Sequence, residues 1–278
     1  MINEAIKLLK SRGLKKKWKY IIVDEYQDTS LTKFHLLDSL IKITNAKFLA
    51  VGDDFQSIYR FTGCNLSIFL DFSKYFTYSK TFKIVNTYRN PQELINIAGY
   101  FIMKNPKQQR KKLISSKHCT FPLYIYQTND FSGTLKKLLI NLNYPQSKEI
   151  LVLGRNNRDI FNYIDKDFTS KNDKYIYKNI TFRYLTIHKS KGLEADIVII
   201  INLENKPLSI PTKIKDEDIL KYVNNTKDYY PYEEERRLFY VALTRTKETC
   251  YLITPYVNES IFVKELLRYK KNIKVIKK

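Results

Sequence analysis

The sequence is short of the residues that several common devices require. Its three cysteines, Cys64, Cys119 and Cys250, stand far apart, which excludes a disulfide framework and a CxxC metal pair. The three histidines, His35, His118 and His188, offer no zinc spacing. No apolar run approaches the ~18 residues of a membrane span, and Met1 to Gly13 is charged and amphipathic with no apolar segment of a secretory signal. These absences predict a soluble, cytoplasmic chain in a reducing compartment, with no membrane partner. Acidic residues are scarce: 28 Asp and Glu face 49 Lys and Arg, for a net charge of +21. That excess favours an anionic partner, nucleic acid first, although the abundance of Lys, Ile, Asn and Tyr also fits an AT-rich coding sequence. Glycine is scarce too. A phosphate loop of the form GxxxxGK[ST] needs two glycines five apart, and none of the seven glycines stands in that relation to another.

What is present is an alternation of short apolar runs with longer amphipathic stretches. Tyr20 to Val23, Lys47 to Val51, Ile150 to Leu153, Ile197 to Ile201 and Tyr251 to Ile253 predict strands. Ser30 to Ile43, Leu94 to Met103 and Glu233 to Thr246 predict helices, with Leu238, Phe239 and Val241 on a core face. Strands and helices alternating without evident hairpin turns predict an α/β fold with mainly parallel sheets. Lys104 to Lys117 and Asn205 to Tyr232 are polar and predict surface connections.

Two places carry chemistry. The first strand ends in Asp24-Glu25, and ligands of open α/β sheets sit beyond the carboxyl ends of strands. There Asp24 can hold Mg²⁺ and Glu25 can orient and deprotonate an attacking water; acidic residues in the first turn of a capped helix are the structural alternative. The second strand runs into Gly52-Asp53-Asp54-Phe55-Gln56. Gln56 can bridge a terminal phosphate and a water. Tyr59 and Phe61, flanking Arg60, can offer a stacking face to an unpaired base, or can be core aromatics of a loop.

The segments IIVDEYQDTS (21–30) and AVGDDFQSIYRFTG (50–63) resemble motifs II and III of superfamily 1 helicases of the UvrD/Rep/PcrA type, nearest to the helicase IV branch. TYRNPQELINIAGYFI (87–102), LTIHKSKGLEADIVII (185–200) and EEERRLFYVALTRTK (233–247) resemble motifs IV, V and VI, in the family's order. The resemblance implies RecA-like parallel sheets of the P-loop NTPase type. Residues 1–84 would form part of a first RecA-like domain, and 85–278 a complete second one. It implies an ATP-dependent 3′-to-5′ DNA helicase using ATP and Mg²⁺ on single-stranded DNA and duplex junctions.

Carried over by position, the resemblance makes Asp24 the Mg²⁺ ligand, Glu25 the water-activating base and Gln56 the γ-phosphate sensor. Arg89 and Arg245 become the two arginines that stabilise charge on the transferred phosphoryl group. Tyr88 stacks on adenine and Glu194 binds the ribose. Phe61 stands where relatives carry an aromatic that stacks on single-stranded DNA, and Tyr59, Arg60 and His188 match positions near the strand. Lys191, with Lys189, is either a DNA contact or a solvated charge. Arg236 and Arg237 fit salt bridges or phosphate positioning better than catalysis.

The sequence departs from the family pattern in three ways. No P-loop is present, so the chain corresponds to the C-terminal part of a helicase, and a P-loop polypeptide is an expected partner. A helicase-like remnant that binds DNA without hydrolysing ATP is the alternative. The large insertion of UvrD-type enzymes between motifs IV and V is absent, since ILVLGRN (150–156) is followed soon by Thr186. Thr62 stands where many relatives have arginine. A first domain lacking its P-loop strand should leave an unpaired sheet edge and uncovered apolar faces.

Overall fold

The computed structural model describes residues 1–142, 148–214 and 230–277. The polar stretch 205–232 therefore lies partly outside the described residues. The chain divides into two compact units. The described residues of the first are Met1–Phe82; the second comprises Lys83–Ile214 and Tyr230 onward.

The first unit begins with helix α1 (Ile2–Arg12), then alternates strand β1 (Tyr20–Val23), helix α2 (Leu31–Thr44) and strand β2 (Lys47–Ala50). Ser30 caps α2 by accepting from the Lys33 amide at 3.3 Å, and Asn45 ends it in the left-handed conformation that releases the chain into β2. The two strands pair in parallel, Tyr20 opposite Lys47 and Ile22 opposite Leu49. Period-two alternation gives this small sheet two unlike faces. Ile21, Val23, Phe48 and Ala50 pack on Tyr26, Phe34, Leu37 and Ile68, beneath α2 and the short helices α3 (Ser67–Leu70) and α4 (Phe72–Tyr75). On the other face Tyr20, Ile22, Leu49 and Val51 remain 64%, 66%, 54% and 43% exposed. Among the described residues each strand has a single neighbour.

The second unit is built on an eight-stranded sheet. Its elements are α5 (Gln92–Ile102), β3 (Leu123–Gln127), α6 (Phe131–Leu142), β4 (Ile150–Gly154), β5 (Phe168–Lys171), β6 (Lys174–Tyr177), β7 (Ile180–Thr186), β8 (Ala195–Ile200), α7 (Glu233–Leu243), β9 (Thr246–Thr254), α8 (Ile261–Tyr269) and β10 (Ile273–Lys277). The strand order is β10-β3-β9-β8-β4-β7-β6-β5. The six strands from β10 to β7 run parallel, which is the α/β class that the alternation predicts. No helix among the described residues is long and apolar enough to cross a membrane.

The structure differs from the sequence reading in several details, and it adds β3, α6 and β10, which the apolar runs do not predict. β5, β6 and β7 form an antiparallel meander whose turns place Asn172 and Lys178 at positive φ, where the sequence pattern predicts no hairpin. The helix predicted to reach Thr246 ends at Leu243, and Thr246 already opens β9. β9 is correspondingly longer than its apolar run, because its first half is polar and only its second half is fully buried.

Leu238, Phe239 and Val241 lie in the core, as their helical spacing predicts. α7 is anchored by a buried cation. Arg236 donates to Glu265 from Nη2 at 2.5 Å and Nη1 at 3.0 Å, and its guanidinium lies 5.1 Å from the ring centres of both Phe101 and Phe262. Lys104 adds a second contact to Glu265 at 3.0 Å. Burial raises the Glu265 carboxyl, but the Arg236 and Lys104 bonds outweigh burial and hold its pKa below the usual value.

A depressed carboxylate pKa contributes stability above the ordinary carboxylate range, and that stability is lost as pH falls through the folded-state value. Glu265→Gln should therefore lower stability near neutral pH by about 3 kcal/mol, the scale of stranding one partner of a buried pair. The deficit against wild type should shrink as pH falls below the ordinary carboxylate range. Urea unfolding at a series of pH values checks both.

Candidate functional site

In the first unit the candidate residues gather at the carboxyl ends of β1 and β2. Backbone bonds lock these ends together: Val51 donates to the Val23 carbonyl, and Tyr26 donates to the Val51 carbonyl, each at 2.9 Å. Asp24 and Glu25 are exposed there. Asp24 Oδ1 accepts from the Glu25 amide at 2.8 Å, and Glu25 adopts φ 50°, ψ 38°, the left-handed region that a non-glycine residue seldom enters. Gln56 donates from Nε2 to Asp53 Oδ2 at 2.8 Å, while Asp53 Oδ1 caps the Phe55 amide at 3.1 Å. The buried Gln27 joins the two strand ends, donating to Glu25 Oε2 at 2.5 Å and accepting from the Asp53 amide at 3.0 Å.

Magnesium usually takes one or two protein carboxylates and completes its shell with water and phosphate. The exposed Asp24-Glu25 pair suits that arrangement. Among the described residues no cluster of three or more Asp, Glu, His or Cys forms a protein-only metal cage.

Tyr59 and Phe61 stand edge to face, ring centres 6.0 Å apart, on the turn that holds Arg60. Phe61 is 54% exposed, which sets it apart from the buried Phe55 and Ile58 nearby.

In the second unit three candidates meet at one turn. Arg89 Nε donates to Glu194 Oε2 at 2.8 Å, and Lys247 lies 3.7 Å from the other oxygen. The Arg89 bond is the main reason that the Glu194 carboxyl sits below its usual pKa. Arg245, only 1% exposed, donates from Nη1 to the Leu193 carbonyl at 3.3 Å and from Nε to the Val241 carbonyl at 3.2 Å. The Arg245 carbonyl in turn accepts from the Ala195 amide at 3.1 Å. Arg89 and Arg245 thus converge on Leu193-Glu194. Tyr88, next to Arg89, is 76% exposed.

His188 and Lys191 occupy a different place. His188 opens the short helical turn after β7, beyond that strand's carboxyl end, whereas Glu194 and Arg245 immediately precede β8 and β9. Because β7, β4, β8 and β9 are parallel, the first pair starts from one end of the sheet and the second lies at the opposite end.

Residues 1–77 match the UvrD/REP helicase N-terminal domain and residues 180–256 match the UvrD-like helicase C-terminal domain, together more than half of the chain. The chain belongs to the UvrD-like helicase family. It is 32% identical to DNA helicase IV of Escherichia coli over 96% of its own length and 38% of that protein. It is 28% identical to a probable DNA helicase of Mycoplasma pneumoniae, over 84% of the chain and 43% of that protein. This family member therefore spans about two fifths of the length of these relatives. A solved C-terminal domain of a possible DNA helicase from a Lactobacillus covers 68% of the chain with a TM-score of 0.41 at 12% identity.

Sequence reasoning missed Gln27 and Asn90. Asn90 lies 5% exposed, and its Nδ2 donates to the carbonyls of Thr244 at 3.2 Å and Thr246 at 2.6 Å, on either side of Arg245. Its position directly after Arg89 was the available signal. In this helicase-family chain Asn90→Ala should cost about 1–3 kcal/mol, because it removes the donor from two buried carbonyl contacts. Thermal or urea unfolding of the variant measures this, and a loss below ~0.5 kcal/mol would count against the bridging role.

Proposed function

We propose that the chain is the motor portion of an ATP-dependent DNA helicase or translocase that moves 3′ to 5′ on single-stranded DNA. The observation that carries this reading is the convergence of Arg89, Glu194 and Arg245 on one turn, although they come from three separate motifs. Met1–Phe82 belongs to a first RecA-like domain, and most of the remaining chain forms a second. Asp24 holds Mg²⁺ with its bound waters, Glu25 orients and deprotonates the attacking water, and Gln56 senses the terminal phosphate. Arg89 and Arg245 stabilise the charge that spreads over the phosphoryl oxygens, a task suited to planar guanidinium groups. Tyr88 stacks on the base of ATP and Glu194 receives its ribose. Mg²⁺ held at Asp24 would supply positive charge to offset that of the phosphates.

The exposed Phe61, with Tyr59 and Arg60, offers the strand a stacking platform; His188 and Lys191 supply further contacts to it. The charge of +21 supports a large phosphate contribution to binding. The phosphate-cradling loop comes from sequence outside these 278 residues, on the same or another polypeptide. The exposed face of Tyr20, Ile22, Leu49 and Val51 is the surface that this segment covers.

ATP hydrolysis by the chain joined to such a P-loop segment tests the reading. Single-stranded DNA should stimulate turnover, and Arg245→Lys should reduce it by about 10³-fold while DNA affinity changes far less. Equal activity of the lysine variant would remove Arg245 from the nucleotide site.

DNA binding supplies a separate test. Affinity for single-stranded DNA should fall steeply with salt, log K losing about 0.7 for each neutralised phosphate per decade of salt. Phe61→Ala should lose a further ~1–3 kcal/mol with the salt slope unchanged. Titrations at several salt concentrations separate the two contributions, and an unaltered affinity would make Phe61 a bystander.

A further inference from the structure

Gln27 is completely buried, and its side chain spans two motifs that lie 26 residues apart. The chemistry of its neighbours fixes its orientation. The Asp53 backbone amide can only donate, so it must face Oε1; the Glu25 carboxylate can only accept, so it must face Nε2. A carboxylate at position 27 would repel Glu25, and an apolar side chain would abandon both neighbours. The Gln27 backbone carbonyl is engaged as well, accepting from Ser57 Oγ at 3.3 Å.

The surroundings leave this amide little freedom. A Cβ at Gly52 would lie 2.4 Å from Gln27 Oε1 and 2.8 Å from Phe69 Cε2, so the absence of a side chain at Gly52 is what admits the amide. The left-handed conformation of Glu25 turns the chain so that a side chain two residues later reaches back to its carboxylate. The bonds then run without a break from the Glu25 carboxylate through the Gln27 amide to Asp53, and from the Asp53 carboxylate to the Gln56 amide.

From this geometry we infer that Gln27 is a positioning residue that fixes the Glu25 carboxylate relative to Gln56, so that water activation and phosphate sensing are set by one hydrogen-bonded bridge. The inference rests on the roles given to Glu25 and Gln56 under Proposed function. Gln27 does not touch the nucleotide in this scheme. It acts by holding the base at a set distance from the sensor, and it links any shift of the turn after β2 to the orientation of the base.

Two experiments test the bridge. In the chain alone, nitrogen-proton NMR should show the Gln27 side-chain amide protected from solvent exchange. Glu25→Gln, a change at an exposed position, should shift that resonance and the Asp53 backbone amide together. A freely exchanging Gln27 amide, or an Asp53 signal indifferent to Glu25→Gln, overturns the bridge whatever the chain's activity. In the chain joined to its P-loop segment, Gln27→Met should lower kcat for ATP by about 10- to 100-fold, the range for a residue that orients a reacting group through a hydrogen bond. KM should change by less than about threefold, and Gln56→Ala should cost much less in that background than in wild type. Gly52→Ala, which displaces the amide without removing it, should reproduce the split between kcat and KM. A kcat within about twofold of wild type, or losses at Gln27 and Gln56 that simply multiply, overturns positioning. Absence of ATP turnover in the wild-type assembly would instead overturn the proposed function, and the NMR result would still decide whether the bridge exists.

Discussion

The parallel pairing of β7, β4, β8 and β9 is the constraint on which the arrangement of the second unit depends. Parallel strands share one polarity, so residues that follow one strand and residues that precede another lie at opposite ends of the sheet. His188 follows β7; Glu194 and Arg245 precede β8 and β9. The connection from Ile187 to Glu194 traverses the height of the sheet in eight residues, within the segment 185–200 that resembles motif V.

The arginine cluster is held by groups that sequence reading passes over. Asn90 reaches the carbonyls on both sides of Arg245, while Arg245 itself donates to Leu193 and Val241. The loop before α5, the end of α7 and the turn before β8 are therefore bonded to one another through side chain and backbone. At the far end of α7, Arg236 and Glu265 anchor the helix to α8. A charged pair in that setting offsets its desolvation only where geometry is good, and here the carboxylate takes two guanidinium bonds and one ammonium contact. The helix that leads into Arg245 is thus fixed at both ends.

Much of this was legible in the sequence because its signals are local. Ser30 before the spaced Phe34 and Leu37 marks the start of α2, and the β-branched runs ending in Asp24 or opening at Ile197 mark strands packed on a core. The ordered motifs identified the family. What escaped depends on tertiary partners. β10 reads as alternating Ile, Lys, Val, Ile and Lys, and only its pairing with β3 makes it a strand of the sheet. The turn at Asn172 carries a left-handed asparagine that is one residue among many polar ones until β5 and β6 pair around it. Gln27 sits between a tyrosine and an aspartate in a polar run, and nothing within that run reveals that its amide faces Asp53.

In the first unit local order is held largely by one face of a small sheet. Among the described residues that sheet has two strands, fewer than an independently stable sheet normally needs, and one face is satisfied by an aromatic cluster in which Phe48, Phe72 and Phe76 lie within 6 Å of one another, ring centre to ring centre. On the opposite face four apolar side chains stay about half exposed. Full burial of such a side chain contributes ~1.5–3 kcal/mol, so covering the remaining half of four would contribute about 4 kcal/mol. That approaches the lower end of the net stability of whole domains, ~5–15 kcal/mol. The same strands hold Asp24, Glu25 and Gln56 at their carboxyl ends. Burial of this face would therefore also steady the carboxylates, because the strands that carry the apolar side chains are the strands that end in the polar turn.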